Sequence, residues 1–427
     1  MHLLFDCTYT RLATGSVGIT RTVRELARPF LAMRGDGFDV SLVAWSPQGY
    51  RLLPDNALDG QDKPALSISD TGIMRILNLV SNRKLRAVLV QLLPLWMQHG
   101  IWRFVSGLTY GNAAANFPLV LPAPNQILFS GDASWSYDAS GVLMQARAKG
   151  MRTVTAIMDL IPINRPEFCV PLFTVVFERW LNQVLAFSDA LVGISQATCD
   201  EVKDYCARHQ LQCPPIAPFR LGSSPLQDRD GDNRVRRQFV PPGAEHETFL
   251  VVGSIEPRKN HGYILDAFEA VWAAYPRARL IIVGRIADGT ETTVSRILGH
   301  PRLGRELQFI TDCSDAELDA LYRTTRALVF ASSAEGFGLP LVEARQRGCW
   351  VLASDLPAFR ELVDEGVRLF HNDQPKYLAA AVLQMLEEHL PTPPKMSVFG
   401  WDDSAKVLLA RIGELLAAVP TKKIVTR

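Results

Sequence analysis

Two carboxylates that flank a glycine-containing segment are the residues with the most evident chemistry. Glu335 and Glu343 close the segment 335–343, which reads Glu-Gly-Phe-Gly-Leu-Pro-Leu-Val-Glu. Carboxylate oxygens accept hydrogen bonds from hydroxyl groups, and the N–H groups at a helix start favour an anion. The pair therefore indicates a ligand that carries both phosphate and sugar hydroxyls. Two unrelated glutamates would explain a bare E-x7-E spacing, but the Gly-Phe-Gly-Leu-Pro filling favours a shared site.

A second candidate is the basic pair Arg258 and Lys259, in a segment that reads Val-Gly-Ser-Ile-Glu-Pro-Arg-Lys-Asn-His. An arginine fork and a lysine point charge can together bind a diphosphate. Asn260 or His261 is predicted to begin the following helix, which would place the pair beside a positive helix N-terminus. Two solvated basic residues that cap a loop are the alternative, and the nearby pair of glutamates favours the diphosphate.

The N-terminal half offers weaker candidates. Gly15 and Gly18, in the segment 14–21, would let a loop approach a phosphate or a sugar closely. Asp159 follows an apolar run, where it could polarise an acceptor hydroxyl or cap a turn. Ser195 is predicted to be a helix N-cap.

Composition excludes several classes of function. The chain has 427 residues, 48% of them hydrophobic and 21% charged, which indicates two globular domains. A net charge of +1 gives no indication of a nucleic-acid partner. The seven cysteines form no C-x-x-C pair, and the eight histidines have no metal-ligand spacing, so no metal site is predicted. The start of the chain reads as a strand and not as a signal peptide, and a reducing cytoplasm is expected.

The segment 85–108 is rich in Leu, Val and Trp but too polar to span a membrane. Basic residues precede it, so a helix here could rest on an anionic bilayer surface such as the inner membrane. Alternatively, the helix covers the N-terminal core.

The elements that would position these residues alternate regularly between strand and helix. Short apolar runs predict strands at 3–5, 40–44, 126–129, 153–157, 190–194, 248–252, 280–283, 327–331 and 350–353. Helical patterns fall at 18–34, 139–149, 169–187, 195–209, 261–275, 314–325, 340–347, 357–364, 376–389 and 402–416. This alternation predicts parallel sheets with helices on both faces, whose carboxyl edges bind ligands. Because Pro340 suits the first turn of a helix, Glu335 is expected on a strand-to-helix loop and Glu343 about one turn inside the helix.

A proline cluster and a polar run divide the chain. We predict an N-terminal domain at 1–225, a linker at 226–245 and a C-terminal domain at 246–400. A final helix at 401–427 is expected to pack back toward the N-terminal domain. The fold class is α/β, with two doubly wound, Rossmann-like parallel-sheet domains facing each other across a deep cleft.

Together these segments resemble the retaining, nucleotide-sugar-dependent glycosyltransferases with the GT-B architecture, known as family four or glycosyltransferase group 1. Residues 335–343 are similar to the E-x7-E signature of that family, and 253–260 to its phosphate-binding loop in the form found in bacterial mannosyltransferase-like enzymes. Segments 354–361 and 159–167 are also similar to that branch. The resemblance spans nearly the whole chain, is strong over 250–365 and loose over 45–125.

The resemblance implies that 1–225 is the acceptor-side domain and 246–400 the nucleotide-sugar-binding domain. It also implies a role for each matching residue. Glu343 would hydrogen-bond the donor ribose, and Glu335 would face the transferred sugar near its anomeric centre. Arg258 and Lys259 would neutralise the leaving diphosphate. Backbone groups would contact phosphate and sugar at Gly253, Ser254, Gly336, Phe337, Gly338 and Leu339. Gly15, Gly18 and Asp159 would act from the other domain, and no metal or other cofactor is needed.

Two positions depart from the family pattern. Many members carry Arg where this chain has Ser254, and His immediately before the N-domain Asp, where this chain has Met158. Arg258 would then supply the charge missing at 254.

The expected activity is transfer of a hexose, with mannose from GDP-mannose as the leading donor, to a glycan or lipid-linked acceptor in bacterial cell-surface polysaccharide assembly. The enzyme is expected in the cytoplasm or at the periphery of the inner membrane. The alternatives are a GT-B nucleotide-sugar epimerase or phosphorylase, and a GT-B protein that binds sugar nucleotides or glycans without catalysis.

Overall fold

The chain divides into two compact units. The computed structural model describes residues 1–13, 18–35, 37–59, 110, 112–137, 140–223, 239–287, 289–388 and 390–419. One unit comprises Met1–Leu221 with Trp401–Arg427, and the other comprises Gly222–Gly400. The division after Leu221 falls four residues before the predicted boundary at 225, and the predicted linker at 226–245 falls within the second unit.

The first unit is built on a seven-stranded sheet. Its strands are β1 His2–Asp6, β2 Asp39–Ser46, β3 Gly49–Leu52, β4 Gln126–Ser130, β5 Arg152–Ile157, β6 Ala190–Gly193 and β7 Ile216–Pro218. They lie in the order β3-β2-β1-β4-β5-β6-β7. All neighbours are parallel except the edge strand β3, which runs antiparallel to β2. The sheet is therefore mixed at one edge, whereas the sequence predicted only parallel strands.

Helices connect these strands, as parallel neighbours require. They are α1 Thr8–Leu12, α2 Ile19–Ala32, α3 Asn112–Ala114, α4 Ser140–Ala148, α5 Ile161–Asn164, α6 Pro171–Phe187 and α7 Gln196–Arg208. In α2 the buried residues Val23, Leu26, Ala27 and Phe30 recur at the spacing of one helix face. That face meets the sheet, where the ring of Phe5 lies 5.6 Å from Phe30.

The C-terminal helix α14, Trp401–Ala417, belongs to the first unit. It contacts α2, β6 and β7. Arg152 on β5 donates a hydrogen bond to the carbonyl of Leu416 at 3.2 Å. Leu408 and Ile412 are buried on one face of this helix, which packs on the first sheet although it follows the second sheet in sequence.

The second unit has a six-stranded, wholly parallel sheet in the order β10-β9-β8-β11-β12-β13. Its strands are β8 Thr248–Val252, β9 Arg279–Val283, β10 Leu307–Ile310, β11 Ala327–Phe330, β12 Trp350–Ser354 and β13 Val367–Phe370. Its helices are α8 His261–Ala274, α9 Glu291–Leu298, α10 Asp315–Thr324, α11 Leu339–Gln346, α12 Pro357–Arg360 and α13 Pro375–Glu387. Phe268 of α8 makes T-shaped aromatic contacts with Phe249 of β8 and with Trp272 of its own helix.

The predicted strands and helices that fall in these ranges are all present, with ends that differ by a few residues. The largest difference is the helix predicted at 357–364, which ends at Arg360. None of the helices in the described ranges is long and apolar enough to cross a membrane. The predicted membrane-surface helix at 85–108 lies outside those ranges.

Candidate active site

Two loops meet at the carboxyl edge of the second sheet. One follows β8 and contains a single 3-10 turn, Pro257–Lys259, which ends at Asn260 in the left-handed conformation with φ of 57°. The Asn260 amide donates to the carbonyl of Ala331 at 2.9 Å and to the hydroxyl of Ser333 at 2.6 Å. The N–H of Ser333 donates back to the carbonyl of Arg258 at 2.8 Å. These three bonds fix the basic loop against the loop that follows β11.

The second loop ends at a glycine that no other residue could replace without strain. Gly338 has φ of 119°, and an added Cβ would lie 2.9 Å from the ring of Phe359. Pro340 then occupies the first turn of α11, as predicted. Glu335 lies on the loop and Glu343 inside the helix, which confirms their predicted placement.

Glu335 joins both basic residues in one ion cluster. Its Oε1 atom lies 2.5 Å from Nζ of Lys259 and 2.8 Å from Nη1 of Arg258. The hydroxyl of Ser332 donates to the same oxygen at 2.8 Å. Arg258 also contacts Glu256 through its Nε atom, at 3.0 Å. Two cations therefore converge on one carboxylate oxygen at the edge of the second sheet.

Burial and charge act against each other in this cluster. Burial alone would raise the pKa of Glu335, but the charges of Lys259 and Arg258 lower it below its ordinary value. Burial lowers the pKa of Lys259, although Glu335 acts to raise it. Burial, aided by the charge of Lys259, also lowers the pKa of His261 to about 4, so its imidazole is neutral at pH 7.

Close backbone approach makes room for the Lys259 side chain. Gly253 has φ of 148°, and a Cβ there would lie 3.4 Å from Cε of Lys259. Gly284, at the end of β9, is closer still, because its added Cβ would fall 1.9 Å from the carbonyl oxygen of Gly253. On its other side the Lys259 ammonium lies 4.9 Å from the ring centroid of Phe330. The half-buried Ser254 lies between Gly253 and the 3-10 turn.

Glu343 has different partners from Glu335. It is 2% exposed, and the hydroxyl of Tyr322 donates to its Oε2 atom at 3.1 Å. The structure thus brings Arg258, Lys259 and Glu335 together and ties Glu343 to a tyrosine on the neighbouring helix α10.

Two candidates in the first unit, Asp159 and Ser195, follow the carboxyl ends of β5 and β6. Oδ1 of Asp159 accepts a hydrogen bond from the N–H of Ile161 at 3.0 Å, so the residue does cap a turn; its contact with an acceptor stays a prediction. Burial and the charge of Asp159 raise the pKa of Glu201, on α7, to about 7. The predicted N-cap Ser195 is confirmed, because its hydroxyl accepts from the N–H of Thr198. Gly18 precedes α2 with φ of 54°, and Gly15 lies outside the described residues.

The sequence interpretation missed a buried acidic pair at the ends of β1 and β4. Asp6 accepts hydrogen bonds from the N–H and hydroxyl of Thr8 and from the hydroxyl groups of Tyr50, Ser130 and Tyr137. Burial raises its pKa.

Asp132 accepts from the N–H and hydroxyl of Thr10, both at 2.8 Å, and from the N–H of Ala133. Burial, with the charge of Asp6, raises the pKa of Asp132 to about 7. The network therefore holds α1 against the end of β4.

Other missed residues are Ser332, Glu256 and Tyr322, which contact predicted site residues. Glu256 lies inside the basic segment and Ser332 lies three residues before Glu335, so their positions were the available signal, whereas nothing in the spacing marked Tyr322. Within the described residues, no group of three or more His, Cys, Asp or Glu side chains could hold a metal ion.

Comparison with known proteins places this geometry in context. Residues 233–398 match the model of the family described as glycosyl transferases group 1. The chain is similar to the serotype-specific mannosyltransferase WbdA of Escherichia coli, with 30% identity over 325 residues, which cover 70% of this chain and 39% of that relative. It is also similar to the O-antigen chain mannosyltransferase RfbU of Salmonella typhimurium, with 31% identity over 36% of this chain and 42% of the relative. The chain thus spans well under half of the length of these relatives.

Among solved structures, the sucrose-phosphate synthase from Thermosynechococcus elongatus is similar over 98% of this chain and 99% of its own, with a TM-score of 0.60 and 17% identity. That likeness concerns the fold alone. It confirms the predicted GT-B architecture, and the cleft between the two domains stays a prediction.

Proposed function

Because residues 233–398 belong to the glycosyl transferases group 1 family, we propose that this chain is a retaining glycosyltransferase that uses a nucleotide-diphosphate sugar. The observation that carries the proposal is the convergence of Lys259 and Arg258 on Glu335, at 2.5 and 2.8 Å. Two cations at the carboxyl edge of a doubly wound sheet match the charge of a diphosphate.

The chemistry assigned to these residues is charge stabilisation of the leaving group. The bond between the anomeric carbon and the diphosphate breaks, and the acceptor oxygen bonds to that carbon on the same face. The acceptor proton passes to the departing phosphate oxygen, so the step balances without a protein nucleophile. Lys259 and Arg258 neutralise the charge that develops on the diphosphate. Glu335 holds both cations in place before the donor binds and faces the transferred sugar afterwards.

The remaining residues of the second unit bind the donor. Glu343 accepts hydrogen bonds from the ribose, and the backbone of Gly336, Phe337, Gly338 and Leu339 contacts phosphate and sugar. Gly253 allows close backbone approach beside Lys259, and Ser254 lies next to it. In the first unit, Asp159 is assigned to contact the acceptor or the sugar, and the loop that contains Gly15 and Gly18 is assigned to approach the phosphate or the sugar.

We further propose mannose as the sugar, GDP-mannose as the donor, and a glycan or lipid-linked acceptor in cell-surface polysaccharide assembly. The similarity to two bacterial mannosyltransferases supports mannose as the sugar. One of them, RfbU, is an O-antigen chain mannosyltransferase, which supports cell-surface polysaccharide assembly as the setting. A cytoplasmic protein that touches the inner membrane at its periphery would meet such an acceptor.

A thermal-shift screen tests the donor assignment. GDP, UDP and ADP, with GDP-mannose and UDP-glucose, are added to the whole chain, since a ligand that binds only the folded state raises Tm according to its affinity. We expect the largest shift with GDP and GDP-mannose; a shift confined to uridine nucleotides would overturn the guanine assignment.

Turnover assays with GDP-mannose then separate the alternatives. Transfer to a mannosylated acceptor supports the proposal. Conversion of the donor without any acceptor would identify an epimerase, and a requirement for inorganic phosphate would identify a phosphorylase. Binding without turnover in the presence of mannosylated glycan and lipid acceptors would identify a binding protein.

A further inference from the structure

Tyr322 contacts the glutamate that is assigned to the ribose. It lies on α10 and is fully buried, and its hydroxyl donates to Oε2 of Glu343 at 3.1 Å. A glutamate carboxylate rotates about its last torsion with little preference, so its oxygen atoms have no intrinsic direction. A hydrogen bond to one oxygen removes that freedom and fixes the plane in which both oxygens lie.

Arg347 holds the tyrosine in place. Its guanidinium carbon lies 5.8 Å from the centre of the Tyr322 ring. Its Nε atom pairs with Oδ1 of Asp319, also on α10, at 2.8 Å, and its Nη1 atom donates to the backbone carbonyl of Glu343 at 2.9 Å. Two links therefore cross between α10 and α11, one from Tyr322 to Glu343 and one from Arg347 to Asp319.

The helix that carries Tyr322 is itself anchored at its start. Ser314 caps α10, its hydroxyl accepts from the N–H of Glu317, and the Glu317 carboxylate accepts from the N–H of Ser314. This reciprocal capping fixes the first turn of α10. Tyr322 thus projects from a helix whose start and whose face toward α11 are both defined by hydrogen bonds.

We propose that Tyr322 is a positioning residue that makes Glu343 selective for ribose over deoxyribose. The inference rests on the proposed function, since it assumes a nucleoside diphosphate at this site. With its plane fixed by Tyr322, the Glu343 carboxylate meets the ribose hydroxyls in one orientation. A missing hydroxyl leaves the buried carboxylate without its ligand partner, and such a loss weakens binding more than an exposed contact would. Without Tyr322 the carboxylate can turn, and the penalty for a missing hydroxyl shrinks.

Calorimetric titration of GDP and 2′-deoxy-GDP into the whole chain tests this selectivity. For wild type we expect the Kd of 2′-deoxy-GDP to be about tenfold higher, as for loss of a hydrogen bond to a buried charged group. Tyr322→Phe keeps the ring under Arg347 but removes the hydroxyl, and should reduce that ratio to about twofold. Tyr275→Phe is the matched control, because Tyr275 follows the C-terminal end of α8 and its hydroxyl donates to the carboxylate of Glu247, which precedes β8, and not to Glu343. It should keep the wild-type ratio.

A double-mutant cycle separates positioning from a structural role. In a Glu343→Gln background, Tyr322→Phe should leave the ratio unchanged. If Tyr322→Phe leaves the ratio of the two Kd values unchanged, whether or not both nucleotides bind more weakly, the inference is overturned. If Tyr322→Phe fails to fold, Glu343→Gln alone still decides, since a retained tenfold preference would exclude Glu343 as the ribose contact. Failure of wild type to bind GDP, UDP or ADP would instead overturn the proposed function.

Discussion

Both sheets carry buried carboxylates at their carboxyl edges, but the two sets of partners differ in charge. In the second unit, Glu335 meets the cations Lys259 and Arg258, and their charges lower its pKa despite burial. In the first unit, Asp6 and Asp132 accept from hydroxyl and backbone N–H groups, and burial raises the pKa of both. The pKa of an acidic side chain at the carboxyl edge of a sheet is therefore lowered at one site and raised at the other.

The difference in partners indicates a different role for each set of carboxylates. A carboxylate between two cations can give them up to a ligand of greater negative charge, because a diphosphate attracts them more strongly than one carboxylate does. Neutral hydrogen-bond donors around a buried acid carry no positive charge that an incoming anion could attract. They instead hold backbone segments, here α1 through Thr10, against the sheet. We infer an exchangeable site in the second unit and a structural one in the first.

The largest expected effect comes from removal of a cation from the exchangeable site. Lys259→Ala should lower kcat/KM for GDP-mannose by about 100-fold or more, because a preorganised charge on the leaving group is lost. Steady-state kinetics with a mannosylated acceptor would measure it. Lys406→Ala, on the exposed face of α14, is the control and should keep wild-type kinetics. A kcat/KM for Lys259→Ala within threefold of wild type would show that Lys259 does not stabilise the leaving group.

Neutralisation of the carboxylate should affect binding and turnover in opposite directions. In Glu335→Gln the two cations no longer share a negative partner, so GDP should bind roughly fivefold more tightly, on the order of 1 kcal/mol. Transfer should nevertheless fall by about 100-fold, since the residue beside the anomeric centre has changed. Calorimetry and kinetics on one preparation would compare both. Weaker GDP binding would mean that Glu335 does not compete with the diphosphate.

The acidic pair of the first unit should reveal itself in the pH dependence of stability. A pKa raised in the folded state means that folding favours the protonated form. The free energy of unfolding should thus fall as pH rises from the ordinary value of 3.8 toward about 7 and level off above it. The slope for one such group is at most about 1.4 kcal/mol per pH unit.

Asp132→Asn should reduce this pH-dependent loss of stability, so that the fall in Tm between pH 5 and pH 8 is smaller than in wild type. Differential scanning calorimetry would follow it, with the exposed Asp200→Asn as control. An identical pH profile in Asp132→Asn and wild type would contradict the raised pKa.

The smallest effect should come from a neutral partner within the charged cluster. Ser332→Ala removes one of three donors to Glu335, and the two cations remain. A hydrogen bond from a neutral hydroxyl to a charged group contributes about 1.5 kcal/mol, so kcat/KM should fall by roughly tenfold, less than on loss of a cation. A loss as large as that of Lys259→Ala would mean that the hydroxyl, and not charge, organises the cluster.

Much of the fold could be predicted from local pattern. Runs such as Leu280–Val283 are apolar throughout, as strands buried on both faces must be, and they predicted the central strands of both sheets. The edge strands of both sheets, β3, β7, β10 and β13, were missed because each is only three or four residues long and includes a glycine, a proline or a polar residue. Such runs resemble loops until a neighbouring strand pairs with them.

The candidate site likewise contains residues that local motifs predict and contacts that they do not. Arg258, Lys259 and Glu335 were predicted because each lies in a motif with its own local signal. The bond between Thr10 and Asp132 joins residues 122 apart, and that between Tyr322 and Glu343 joins two helices. Contacts of this kind depend on strand order and helix packing, which no spacing in the sequence records.

The most direct test of the central claim is whether Lys259 confers a preference for the diphosphate. Calorimetry would compare the binding of GDP and guanosine to wild type and to Lys259→Ala. We expect wild type to bind GDP at least about 100-fold more tightly than guanosine. Most of this difference in affinity should disappear in Lys259→Ala. If Lys259→Ala keeps the full preference for GDP, the ion cluster is not the diphosphate site.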